Sequence, residues 1–282
     1  MRNKITSKVG FRLIAISAFG AFSAIGPYIY ETEERRTKKS KSSEIVTTQS
    51  NSSDTSFSST TPDFASISDT KQKKQAFFDY LRPSIALENN RILKERSFLE
   101  RLAQDSSKQW TAEQTEYAKR LGKLYSMPLK SGVISESWIT EMLAKANILP
   151  EALVLTQAAN ESGWGTSRFA KEANNFFGQW CYTKGCGVVP LHRNEGSSHE
   201  VAKFSSIQES VHRYFMNVNR NQAYADLRTI RADLVKQGED LSTPQAATQL
   251  TDGLLKYSER GADYVTDLQA MIRHNSVFWT QP

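Results

Sequence analysis

The sequence predicts a mainly α protein with a minor β insertion. Two observations carry this expectation. Through most of the chain beyond Lys71, apolar residues recur at spacings of three and four, the period of a helix with one buried face. Between 176 and 204 that period stops. There Gly178, Gly185, Gly187 and Gly196 punctuate short segments such as Val188-Val189 and Val201-Ala-Lys-Phe204, the pattern of a small hairpin-bearing lobe. No internal repeat is present.

The N-terminus opens on Arg2, Lys4, Lys8 and Arg12, and an apolar run without charge follows from Leu13 to Tyr30. Residues 1–30 are therefore expected to be a signal peptide or a signal anchor, with the rest of the chain exported. The run is at the short end for a span of about 20 residues. Arg35, Arg36, Lys38 and Lys39 follow it, so the flanking charges leave its orientation open. Residues 31–70 read as a linker. About half of 40–70 is Ser or Thr, which cannot bury enough surface to offset its ordering entropy. Its expected role is reach, as a flexible tether.

Residues 71–134 are expected to form a helical extension ahead of a domain at 135–282. Phe77, Phe78, Leu81, Ile85 and Leu87 give the first helical stripe, which Pro83 is expected to break or kink. Ile92, Leu93 and Leu99 continue the period. A second helix starts at Thr111, with Glu113 in its first turn and Tyr117, Leu121 and Leu124 on its face. A third starts near Ser135 and carries Trp138, Ile139, Met142 and Leu143. Pro150 suits the opening of the next, where its missing donor costs nothing. That helix runs through Leu153, Leu155, Ala158 and Ala159 to about Ser162. After the lobe, helices are expected at 207–220, 224–237, 244–255 and 264–274.

The formal net charge of +6 suits an acidic polymer or a phosphate-bearing membrane surface. Nucleic acid is a poor fit, because no stripe interleaves basic and aromatic residues. The two cysteines, Cys181 and Cys186, flank a Lys-Gly turn, and in an exported chain they are expected to form a local disulfide. In a cytosolic chain they would be free thiols. No His lies near enough to complete a usual zinc set, and His192 and His199 make no convincing metal spacing with the nearby carboxylates. No metal or cofactor is expected.

The segment with most chemistry in it is Gln157-Ala-Ala-Asn-Glu-Ser-Gly-Trp-Gly-Thr-Ser-Arg168. An apolar helix there ends on Glu161, and Gly163, Trp164 and Gly165 follow. A carboxyl at the edge of an aromatic, Gly-lined opening loses solvation, which raises its pKa. It then keeps its proton near neutral pH, as a general acid must. Taken alone, a glutamate at a helix end is more often simply solvated. Ser162 is placed to fix the turn, and Trp164 is either core or a sugar-stacking surface.

Further motifs follow in order: Asn174-Asn-Phe-Phe-Gly178, Phe204-Ser-Ser206 ahead of Glu209-Ser-Val-x-x-Tyr214, Arg220-Asn-x-x-Tyr224, Lys256-Tyr257 and Tyr264. With Ala-Ala-x-Glu-Ser-Gly-Trp-Gly at 158–165, they resemble the glucosaminidase family, glycoside hydrolase family 73, over roughly Ser135 to His274. Lys74-Gln-Ala-Phe-Phe-Asp-Tyr-Leu-Arg-Pro83, Trp180-Cys181 and Cys186 resemble the Bax-like branch of envelope proteins.

The resemblance implies a lysozyme-like helical fold and endo-β-N-acetylglucosaminidase activity on peptidoglycan glycan strands in the periplasm or cell envelope, with Glu161 as general acid. In this family the second carboxylate sits in the β lobe. Glu195 and Glu200 are the two candidates here, and Glu195 is preferred because a lobe tip can close over bound glycan. Tyr214 is expected to orient the reacting sugar or water. Trp164, Asn175, Phe177 and Tyr224 are expected to line the substrate cleft, with either tyrosine alternatively a core aromatic. A muramidase or lytic transglycosylase shares the Glu-Ser helix and is the alternative enzyme. A wall-binding or scaffolding protein with a dead site is the alternative of another class. An uncleaved N-terminal segment would tie the protein to the inner membrane.

Overall fold

A computed structural model describes residues 61–105, 107–191 and 199–279. The segment assigned to a signal or anchor, and Glu195 with its neighbours, lie outside the described residues. Among the described residues, no helix is long and apolar enough to cross a membrane.

The fold is mainly helical with one small sheet, as the sequence predicts. Helix α1 (Thr70–Gln104) is followed by α2 (Ala112–Leu124), α3 (Glu136–Lys145) and α4 (Glu151–Ser162). Side chains cap three of these starts. Asp69, Thr111 and Ser135 each accept an amide hydrogen of the first turn, and Thr111 forms a full capping box with Gln114. A short α5 (Arg168–Ala173) leads into the lobe, and α6 (Ile207–Arg220), α7 (Ala225–Lys236), α8 (Pro244–Leu250) and α9 (Ala262–His274) complete the helices.

Pro83 neither ends nor divides α1, which runs through it. Proline in a helix interior costs about 3 kcal/mol or more. Against this, Phe77, Phe78, Leu81, Ile85 and Ile92 are all at most 1% exposed, on both sides of Pro83. Burying such a side chain stabilises by about 1.5–3 kcal/mol, so the stripe outweighs the proline, whose own ring is exposed. Leu87 and Leu93, expected on the same stripe, instead point to solvent.

Helix α4 is the axis of the core. Every residue from Ala152 to Ala159 is buried, and α1, α8 and α9 pack around it. Helix α1 also packs on α3 and α6, so the helix read as an extension shares a core with those that follow. A second apolar cluster joins the end of α1 to α2 and α3 through Phe98, Leu99, Leu121, Trp138 and Met142.

The lobe is a three-stranded antiparallel sheet of β1 (Trp180–Cys181), β2 (Gly187–Val188) and β3 (Glu200–Ala202), with β3 in the middle. Trp180 pairs with Val201 on one side of β3, and Val188 pairs with Val201 on the other. Cys181 and Cys186 are joined in a disulfide, as expected.

Candidate active site

Glu161 is the penultimate residue of α4, at the end of the buried helix. A left-handed turn, Gly163-Trp164-Gly165, leads the chain away from it. Ser162 pins this turn: its hydroxyl donates to Ala158 O at 2.6 Å and accepts from Gly165 N at 2.8 Å. Gly165 has no substitute here, because a Cβ would lie 2.4 Å from the ring of Phe64. The strained backbone at Trp164 (φ 58°) is therefore held by packing on both sides.

The Glu161 carboxylate is held on one oxygen. The Tyr264 hydroxyl, from α9, donates to Oε1 at 2.8 Å, and Asn160 Nδ2 donates to the same oxygen at 3.3 Å. Oε2 takes no hydrogen bond among the described residues and faces Gly178. A Cβ on that glycine would meet Oε2 at 3.4 Å, and its φ of +64° disfavours any other residue. The Asn-Phe-Phe-Gly segment thus brings bare backbone against the carboxylate.

Burial raises the Glu161 pKa. The bonds from Tyr264 and Asn160 and the positive charge of Arg260 oppose this but do not cancel it. Around the carboxylate stand four tyrosines. Tyr264 stacks on Tyr257 with ring centroids 5.7 Å apart, and Tyr257 lies at 5.8 Å from Tyr224. The Tyr257 hydroxyl donates to Phe177 O at 2.8 Å, tying the end of the chain to the Asn-Phe-Phe-Gly loop. Burial and the Glu161 charge push the Tyr214, Tyr257 and Tyr264 hydroxyls well above their usual range, and Tyr224 up to about 12. All four are neutral near pH 7, and the hydroxyls of Tyr214, Tyr257 and Tyr264 donate hydrogen bonds.

The remaining expected site residues fall into three places. Tyr214 is fully buried, stacks on Phe177 at 4.2 Å, and donates its hydroxyl to Gln157 Oε1. It reaches Glu161 only through Gln157 and Tyr264. Phe177 is buried under the site, and Tyr224 is 7% exposed with its ring tilted against Tyr257. Asn175 is a structural node. Its amide donates to Gln179 O and Ala202 O and its oxygen accepts from Gln179 N, which joins the loop to the lobe. Trp164 packs against Phe77 and Phe78, with Lys74 Nζ over its ring at 5.1 Å.

Glu200 is 5% exposed, and its two oxygens accept Gly185 N at 2.9 Å and Gly187 N at 2.8 Å. It therefore holds the disulfide loop in place. Its carboxylate and the two cysteine sulfurs lie within 4.8 Å of one another, but the sulfurs are bonded together and unavailable to a metal ion. Sequence reading overlooked Gln157 and gave Tyr264 no role. A glutamine inside a run of buried residues is a signal in itself, because a buried amide must find partners.

A profile of the glucosaminidase family, described as mannosyl-glycoprotein endo-beta-N-acetylglucosaminidase, matches residues 137–277. The chain is also similar to protein bax of Escherichia coli (strain K12), with 32% identity over 232 residues that cover 82% of this chain and 80% of that protein. No solved structure matches.

Proposed function

This chain belongs to the glucosaminidase family, and from that premise we propose that it is an endo-β-N-acetylglucosaminidase that hydrolyses peptidoglycan glycan strands. Family membership implies a glycoside hydrolase acting on glycan. The assignment of Glu161 as general acid rests above all on one observation. It is a carboxyl at the end of a buried helix whose pKa is raised, with one oxygen held by Tyr264 and the other free of hydrogen bonds among the described residues.

In the proposed reaction the protonated Glu161 delivers its proton to the glycosidic oxygen as the bond to the anomeric carbon breaks. Water supplies the hydroxyl to that carbon, and its remaining proton restores the acid–base balance of the site. Glu200 is committed to the Gly185 and Gly187 amides, which supports Glu195 as the second carboxylate. The basic start and apolar run at residues 1–30 support export to the cell envelope, where this substrate lies.

Digestion of purified cell wall, followed by mass spectrometry of the products, tests the reading. Reducing-end N-acetylglucosamine, released by the wild type and not by Glu161→Gln, is the expected outcome. Anhydro-muramyl products would assign a lytic transglycosylase instead. Absence of digestion by soluble, oxidised wild type on several walls would leave a binding protein.

A further inference from the structure

The hydrogen bonds behind Glu161 form a chain with one permitted direction. Tyr214 stands at its far end on α6, fully buried, and its hydroxyl has one partner among the described residues, the side-chain amide of Gln157. A phenol proton buried without an acceptor is unfavourable, so the amide must present its oxygen to Tyr214. Its nitrogen then faces Tyr264 and donates to that hydroxyl at 2.9 Å. With Gln157 acting as donor, the Tyr264 proton has Glu161 Oε1, at 2.8 Å, as its acceptor.

We propose that Tyr214 and Gln157 are positioning residues that fix the direction of this chain, so that Tyr264 always donates to Glu161 Oε1 and the transferable proton of the acid is confined to Oε2, beside Gly178. This rests on Glu161 being the general acid. Were the amide reversed, Tyr264 would donate to Gln157 and accept from a proton on Oε1. That proton would point into the protein, away from any substrate. The groups facing Glu161 from each packed element are Tyr264 and Arg260 at α9, Tyr257 ahead of it, Tyr214 on α6 and Tyr224 between α6 and α7. Arg260 is exposed and paired with Asp267, and the four tyrosines are neutral, so none competes for the proton.

Tyr214→Phe in the full chain tests the idea, since it removes the hydroxyl and keeps the ring stacked on Phe177. The amide is then free to reverse and trap the proton on Oε1. The two directions then hold equal numbers of hydrogen bonds, so the trapped form takes about half of the molecules, an effect of about twofold. The plateau kcat on cell wall should fall by about that factor with KM nearly unchanged, and the basic limb of the pH profile should move upward. A merely loosened core would admit water and move that limb downward.

Difference infrared spectra of wild type, Tyr214→Phe and Glu161→Gln provide a readout independent of turnover. The wild type should show one carbonyl band of the protonated acid, and Tyr214→Phe a second, downshifted band. Folding of each variant is checked by circular dichroism. A folded Tyr214→Phe with an unmoved or lowered basic limb, or with a single unshifted band, overturns the proposal. A wild type that digests nothing refutes the hydrolase reading instead, and the infrared bands still decide the direction of the chain.

Discussion

Arg231 holds the start of α4, the helix that carries Glu161, and Arg231→Met should be among the most destabilising single changes in the protein. The side chain comes from α7 and is 1% exposed, with no carboxylate against it among the described residues. Nη2 donates to Ala144 O and Lys145 O at the end of α3, and Nη1 to Asn147 O, Ile148 O and Asn219 Oδ1. The four carbonyl oxygens lie at the negative end of the α3 dipole and in the turn that opens α4, and Asn219 reaches them from α6. Burial lowers the guanidinium pKa to about 9, still far enough above neutrality to keep it charged at pH 7.

The magnitude follows from what the substitution leaves behind. Lys145 O keeps a bond from Asn147 N, and Asn147 O keeps one from Asn219 Nδ2. Ala144 O, Ile148 O and Asn219 Oδ1 have no second donor among the described residues. Each buried acceptor left unpaired costs about 1–3 kcal/mol. Ala144 is exposed and Ile148 partly buried, so water relieves part of this, and relief of the buried charge offsets some of the rest. A net loss of about 3–4 kcal/mol is expected, or a fall in Tm of roughly 10 °C for a domain of this size. Buried ionic groups elsewhere can be exchanged for apolar ones without loss, but only when every partner is exchanged as well. Here most of the partners are backbone carbonyls. Thermal and urea unfolding followed by circular dichroism provide the assay, with Arg231→Lys expected to fall between the two because one nitrogen cannot span both groups of carbonyls. A loss below about 1 kcal/mol for Arg231→Met would refute the reasoning.

Four further outcomes are expected. Glu161→Gln should abolish digestion yet stabilise the protein at neutral pH. Both folded and unfolded chains hold the Glu161 proton below about pH 4, and above it the unfolded chain releases the proton first, so wild-type stability falls as pH rises towards the elevated folded value. Unfolding curves at acidic and neutral pH check this, and an equal difference at both would contradict it. Tyr264→Phe removes a bond to the ionised carboxylate, so the basic limb of the pH–rate profile should move upward; a downward shift argues against that contact. Gly178→Ala should cost about 1–2 kcal/mol of stability through its left-handed backbone and lower kcat by crowding Oε2, measured by unfolding and digestion. Cys181→Ser with Cys186→Ser opens a short loop, worth about 2 kcal/mol by loop-closure entropy. Digestion should drop while helical circular dichroism at 222 nm is kept, and full retention of activity would remove the lobe from the site.

Much of the helical frame is legible in the sequence because its signals are local. Thr111, Ser135 and Pro150 mark helix starts by cap chemistry, and the structure places the starts there. Glu161 stands out only through the ordered motifs that follow it, because a glutamate ending an apolar helix is by itself more often solvated. Pro83 misleads because the rule that proline ends helices is local, while the burial that overrides it spans both sides of α1. The site behind Glu161 is hidden for a related reason. Gln157 is one turn back on α4, but its partners lie on α6 and α9, 57 and 107 residues further along. Periodicity does not specify such pairings. Glu200 needed the strand register as well, since only the pairing of β3 with β1 and β2 puts its carboxylate under the Gly185 and Gly187 amides.

Burial alone does not make an acid, and the other buried glutamates show what else is required. Glu88 is 2% exposed, yet its carboxyl is held below the usual range. Desolvation pushes it up, but His212 at 3.0 Å and the Arg91 guanidinium together outweigh that push. Glu95 shares Arg91 and accepts the Tyr125 hydroxyl at 2.7 Å. Glu200 accepts two amides. Each of these three carboxylates is thus committed to a cation, a phenol or a pair of backbone amides. Glu161 differs in having a phenol and an amide on one oxygen and, among the described residues, no cation in contact. Neutral donors offset only part of its desolvation, so its pKa stays raised. Replacing Asn160 or Tyr264 with a cationic residue would tip that balance the other way and give a carboxylate like Glu88, charged at neutral pH and unable to act as a general acid.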